Sequence, residues 1–260
     1  MSQERLNPNA SSTVEDWPRP YYRPGGGDAF LFYVMYGPTP QDFSISSSKY
    51  RCNGIPPGLA LSSYGPTSDP EVVSSFCSGY LWDELQRTNA KLANEVANQS
   101  ECLVILGTIS DPGNLNYLRN VIGLISWYCD SGGVAVYDPQ MFKWWTPSEW
   151  MTSIFEPAAA VPTHHLMILT SEDENGTEWF HTRGMRKFGR PDLSIHRVPS
   201  DLRDGIIDLF NRFIEFQAFG GIIEEGQEIR MASLPSGMIC RHQGDIEDPD
   251  FNNVHVEITW

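Results

Sequence analysis

His165-Leu166-Met167-Ile168-Leu169, then Asn175-Gly176, then Thr177-Glu178-Trp179-Phe180-His181 is the stretch that decides the fold class. Two runs rich in branched and aromatic residues flank an Asn-Gly pair, which supplies the two positive φ angles of a tight hairpin turn. The pattern predicts an antiparallel ribbon. Downstream, Asp192-Leu193-Ser194-Ile195-His196-Arg197-Val198 alternates as a third strand. Ser200 then caps a helix whose apolar stripe runs from Ile206 through Leu209, Phe210 and Phe213 to Phe216, and Gly220-Gly221 stops it. The segments 227–231, 237–240 and 253–258 read as two or three further strands.

Upstream, Ala29 to Tyr36 is an apolar, aromatic-rich run stopped by Gly37-Pro38, which suits a strand covered on both faces. Residues 37 to 68 are broken by prolines and glycines and should be irregular, with one short strand near Gly58 to Ser62. Asp69-Pro70-Glu71 carries a helix start, and the apolar spacing extends one long helix to Val96. Cys102 to Gly107 is a buried strand, and Asp111-Pro112 opens a second helix ending at Gly132-Gly133. Val134 to Tyr137 is another strand, and this alternation of helix and strand favours parallel strands. Thr146-Pro147-Ser148-Glu149 is a capping box opening a short helix through Phe155. The sum is an α+β chain with a mixed, largely antiparallel sheet packed with three or four helices. Residues 1–28, rich in Asn, Ser, Pro and Gly, read as a flexible arm, and 29–260 as a single globular domain with a sub-lobe boundary near 160.

The 260 residues are 40% hydrophobic, enough for a large core. No apolar run approaches the roughly 18 residues of a membrane span, and the N-terminus lacks a secretory pattern, so the expectation is a cytoplasmic protein without membrane contact. A net charge of −15 repels phosphate backbones, which argues against nucleic acid and suits a basic protein partner, a toxin included. The five cysteines contain no C-x-x-C pair and read as free thiols.

The sharp catalytic motifs are absent: there is no phosphate-binding G-x-x-x-x-G-K-[ST], no G-x-S-x-G and no H-E-x-x-H. No cofactor and no metal is expected. Adjacent strand residues point to opposite faces, so His164 and His165 cannot both aim at one ion. The weak catalytic candidates are His165, His181 and Asp138, which with Arg183 would make a hydrolase site if they converged. The candidate binding residues are Trp144 and Trp145, in a tryptophan-rich cluster that is either core or recognition face, and Arg183, Arg186 and Arg190, a fork for a carboxylate or phosphate. The acidic stretch Asp245 to Asp250 reads as a solvated turn.

Thr182-Arg183-Gly184-Met185 and Phe188-Gly189-Arg190-Pro191-Asp192-Leu193, preceded by Gly132 to Tyr137 and the Trp144-Trp145-Thr146-Pro147 helix start, carry a resemblance. Over residues 75–200 the chain resembles a bacterial family of unknown function akin to the suppressor-of-fused-like toxin-immunity proteins. The resemblance implies a cytoplasmic α+β domain without established catalytic residues. It favours a non-enzymatic protein-binding domain of immunity or accessory type, with the hydrolase as the alternative.

Overall fold

A computed structural model describes residues 14–260. The apolar run 29–36 is β1 (Ala29–Tyr36), the middle strand of a five-stranded antiparallel sheet ordered β2-β3-β1-β4-β5. Its partners are β2 (Leu59–Tyr64), β3 (Cys102–Ile109), β4 (Ala135–Asp138) and β5 (Lys143–Trp145). Strand side chains alternate between faces. Leu31, Tyr33 and Met35 therefore join Leu103, Ile105 and Val136 on one side, while Val34 and Tyr36 join Cys102, Val104 and Tyr137 on the other.

Helices cover both sides. In chain order they are α1 (Ser47–Tyr50), α2 (Pro70–Ser75), α3 (Tyr80–Thr88), α4 (Ala90–Ala97), α5 (Asn116–Asp130), α6 (Pro147–Glu149) and α7 (Arg203–Ala218). The first side packs on α5, where every residue from Tyr117 to Cys129 except Asn120 is buried; the second packs on Val73, Trp82, Leu85, Leu92 and Val96 of α2 to α4.

The second sheet holds β6 (Met167–Glu172), β7 (Glu178–Arg183), β8 (Asp192–Val198), β9 (Ile239–Gln243) and β10 (His255–Thr259), in the order β6-β7-β8-β10-β9. Its pairs are antiparallel except β8 with β10. The side bearing Phe180, Leu193, Ile195, Val256 and Ile258 shares one continuous core with Ile206, Phe210 and Ile214 of α7 and with the α5 side of the first sheet. The chain is α+β, with two sheets in place of the one expected; it passes from the first to the second between Trp145 and Met167.

Several local expectations change. The long helix over 69–96 is three helices, because Gly79 takes φ 79° and Asn89 turns out of the helix and caps α4, its side chain accepting the Leu92 amide. Asp111 does not start α5; it sits at φ 24° and accepts from the Gly25 amide at 2.7 Å. The strands around α5 form no parallel pair, since β3 and β4 both run antiparallel to β1, which lies between them. The capping box at Thr146 is present, but Trp150–Phe155 widens into a π-helix. Asn175 and Gly176 take φ 57° and 75°, inside a loop of residues 173–177 that is longer than a two-residue turn. His165 and Leu166 precede β6 rather than belong to it.

The arm expected to be flexible over 1–28 lies partly outside the described residues. From 14 to 28 it is docked: Trp17 is buried and donates its indole N–H to the Ala158 carbonyl at 2.8 Å, and the Arg19 guanidinium donates to the carbonyls of Pro112, Phe188, Gln217 and Ala218.

Candidate functional site

The motif from Thr182 to Leu193 builds the junction between the sheets. Gly184 and Gly189 take φ 117° and 63°, which folds the chain into a 3-10 turn, Met185–Phe188. That turn drives Lys187 inside, where its ammonium pairs with Asp138 at the end of β4 and donates to the His165 carbonyl at 2.8 Å. Burial pushes the Asp138 carboxyl up and the Lys187 ammonium down, and their mutual contact opposes both shifts. Asp192 is also enclosed. Its carboxylate accepts from the Thr182 hydroxyl (2.7 Å), the Met185 amide (3.2 Å) and the Asn253 side chain (2.9 Å), and burial still pushes it up to about 6.

The arginine fork separates in this setting. Arg190 is 2% exposed and donates to the carbonyls of Gly189, Gly220 and Gly221, so it faces inward. Arg183 lies over the Phe142 ring at 4.1 Å and donates to the Asp250 carbonyl; Arg186 lies over Phe30 at 4.3 Å and donates to the Asn252 carbonyl. Arg183 and Arg186 line one cavity together.

Trp145 and Trp150 are core residues, packed edge to face at 6.2 Å. Trp144 is half-buried, stacked on Tyr137 at 4.3 Å and edge-on to Trp82. The tryptophan cluster is thus a packing feature.

The hydrolase candidates do not share an open cleft. Asp138 and His165 are 1% and 3% exposed, both sealed around Lys187, and burial beside the lysine charge pushes the His165 imidazole down to about 3. His181 has a different environment, stacked on Trp179 at 4.0 Å.

That stack opens the face of the second sheet that α7 does not cover. Alternation places Trp179 and His181 of β7, Ser194 and His196 of β8, and His255 and Glu257 of β10 on this outer side. All of them except His181, which lies beneath the Trp179 ring, line a cleft of about 560 Å³ walled by Asp248, Asp250 and Phe251. The Trp179 indole lies 4.9 Å from His196 with planes 6° apart and donates to the Ser194 hydroxyl at 2.9 Å; Phe251 stacks on His255 at 4.2 Å. Five carboxylates, Asp173, Glu174, Asp248, Asp250 and Glu257, face the cleft alongside one guanidinium, Arg197. The Asp173 carboxyl is held below its usual range because it accepts the Arg197 and Glu174 amides. Burial pushes His181 down to about 4 and lowers His255, which is 9% exposed and whose Nδ1 has no hydrogen-bond partner among the described residues. Among the described residues no group of three His, Cys, Asp or Glu is placed to hold a metal.

Sequence reasoning missed Trp179, His196, His255, Asp248, Asp250 and Glu257. The alternation Trp-x-His, Ser-x-His and His-x-Glu along β7, β8 and β10 was the available signal: three strands with polar rings on one side and apolar residues on the other. The acidic turn completes the cleft only because the chain returns over the sheet. Comparison with protein-family models, curated proteins and solved structures finds no match for this chain.

Proposed function

We propose that this chain is a non-enzymatic protein-binding domain, of the immunity or accessory type and acting in the cytoplasm, that takes basic side chains of a protein partner in the cleft on the outer face of the second sheet. The observation that carries this reading is the combination of the stacked Trp179 and His196 rings with five surrounding carboxylates. An arginine or lysine of the partner gains from packing its apolar stem against these rings and from charge-assisted hydrogen bonds to the rim. The net charge of −15 supports it by steering a basic partner toward the chain and disfavouring nucleic acid. The resemblance of residues 75–200 to immunity-type proteins points the same way. The hydrolase alternative has no comparable support, with Asp138 and His165 sealed in the core.

The test uses an oligo-arginine peptide titrated into the full-length chain, with tryptophan fluorescence as the signal. Asp248→Asn with Asp250→Asn should weaken binding about tenfold, the scale of one lost charge-assisted contact. Asp201→Asn with Asp204→Asn, the same charge change on exposed residues outside the cleft, should alter affinity less than twofold. Equal losses from the two pairs would overturn the cleft as the binding site.

A further inference from the structure

Phe251 also lines a second, smaller cavity of about 210 Å³, shared with Phe30, Phe32, Pro139, Arg183 and Arg186. Its charge is opposite to that of the cleft. The chain carries 33 acidic and 18 basic residues, yet among the described residues two guanidiniums and no carboxylate line this cavity. The neighbouring Lys187 and Arg190 have carboxylate partners in Asp138 and Asp111; among the described residues Arg183 and Arg186 have none. Arg183 is 4% exposed, and among the described residues its Nε–H has no hydrogen-bond acceptor. A buried charged group with a donor left unpaired is costly, and Arg183 brings that uncompensated charge to a cavity whose lining holds no carboxylate, which favours an anion there.

The geometry narrows the ligand. Phe142 and Phe30 cover the guanidinium faces of Arg183 and Arg186, and each arginine is held by one backbone carbonyl, of Asp250 or Asn252. In-plane N–H groups are the donors a carboxylate meets side-on. Phe30, Phe32, Pro139 and Phe251 give the rest of the wall an apolar part, beside Gly184 and the polar Gln140 and Asn252. The volume is below the roughly 300–1,000 Å³ of sites for drug-sized ligands, which limits the occupant to a compact one. We propose that this cavity binds a small monocarboxylate with an aromatic or branched apolar body, its carboxylate on Arg183 and Arg186. The two sites share Phe251, but this proposal does not rest on the partner assigned to the acidic cleft.

The experiment is calorimetry on the full-length chain with benzoate, and with benzamide and inorganic phosphate as comparison probes. Benzoate should bind, with benzamide and phosphate each at least about tenfold weaker, because one lacks the charge and the other the apolar body. Arg186→Gln should weaken benzoate by about tenfold or more. Asn252→Asp is the second variant: Asn252 is exposed, lines the cavity and sits at φ 50°, which Asp also tolerates, so the change adds a repelling charge without altering the backbone. It should weaken benzoate comparably, and it decides the matter if Arg186→Gln lowers the melting midpoint. The proposal falls if benzoate shows no binding at millimolar concentration, if benzamide or phosphate equals it, or if Asn252→Asp leaves its affinity unchanged.

Discussion

Thr182 is enclosed on β7, and its hydroxyl does two jobs: it donates to Asp192 at 2.7 Å and accepts from the Leu193 amide at 2.9 Å. Thr182→Val keeps the shape and removes both. A buried amide is then left unpaired beside a carboxylate that has lost one donor, and the expected cost is about 1–3 kcal/mol, read from the urea midpoint. An unchanged midpoint would remove this network from the stability of the fold. Titration gives a second residue-scale expectation. His165 and His181 have native pKa values near 3 and 4, below the roughly 6.5 of an unfolded imidazole. The unfolded chain therefore takes up protons that the native chain refuses, and the stability these groups contribute is present above pH 6.5 and lost as pH falls. Asp192 works in the opposite sense: raised to about 6, it takes up its proton in the native state first and gains stability on acidification. His255 is lowered as well and Asp138 raised, so three imidazoles against two carboxyls leave a net loss, at up to roughly 1.4 kcal/mol per pH unit between pH 6.5 and 4. Melting curves at pH 7, 6 and 5 check it, and a midpoint that rises on acidification would contradict it.

At the scale of elements, the motif turn from Thr182 to Leu193 is where backbone and packing constraints coincide. A side chain at Gly189 would sit at φ 63° with its Cβ 2.3 Å from the Gly27 carbonyl oxygen and 3.1 Å from the Ala29 amide. Gly189→Val should therefore cost at least the roughly 1–3 kcal/mol of strained backbone, and the collision with the docked arm adds to that. The melting midpoint should fall by at least about 3 °C, and a smaller drop would mean that the arm yields freely. The same turn shows how far local reading reaches. Glycines, Pro191 and the alternation of Asp192 to Val198 identified a turn entering a strand, because those are constraints on φ and on side-chain direction within a few residues. That the turn sends Lys187 to Asp138, 49 positions away, is a tertiary event with no local trace. The helix over 69–96 failed for a related reason. Its apolar spacing was genuine, but Gly79 and Asn89 reset the chain direction so that three short helices wrap one face of the first sheet. The outer face of the second sheet was legible as alternation, while its meaning depended on the Asp245 to Asn253 return, which periodicity cannot place.

For the whole molecule the question is what makes two sheets one folding unit. A continuous core runs from Leu31 and Ile105 through Phe188 to Ile195 and Val256, and the buried Lys187–Asp138 pair bridges the end of β4 to the motif turn. Removing one partner from a buried ion pair strands the other charge, which typically costs about 3–5 kcal/mol, whereas replacing both by apolar groups is often near neutral. Lys187→Met should therefore be severely destabilising, and Lys187→Met with Asp138→Leu should recover most of the loss. The lost His165 carbonyl contact keeps that recovery short of complete. Because the pair joins the two halves, its loss should be felt on both. Amide exchange at Ile105 in β3 and Ile195 in β8 should accelerate together in Lys187→Met. Acceleration at Ile195 alone would mean that the first sheet, covered by helices on both faces, stays folded without the second, and that the ion pair fastens the second sheet to an independently stable base.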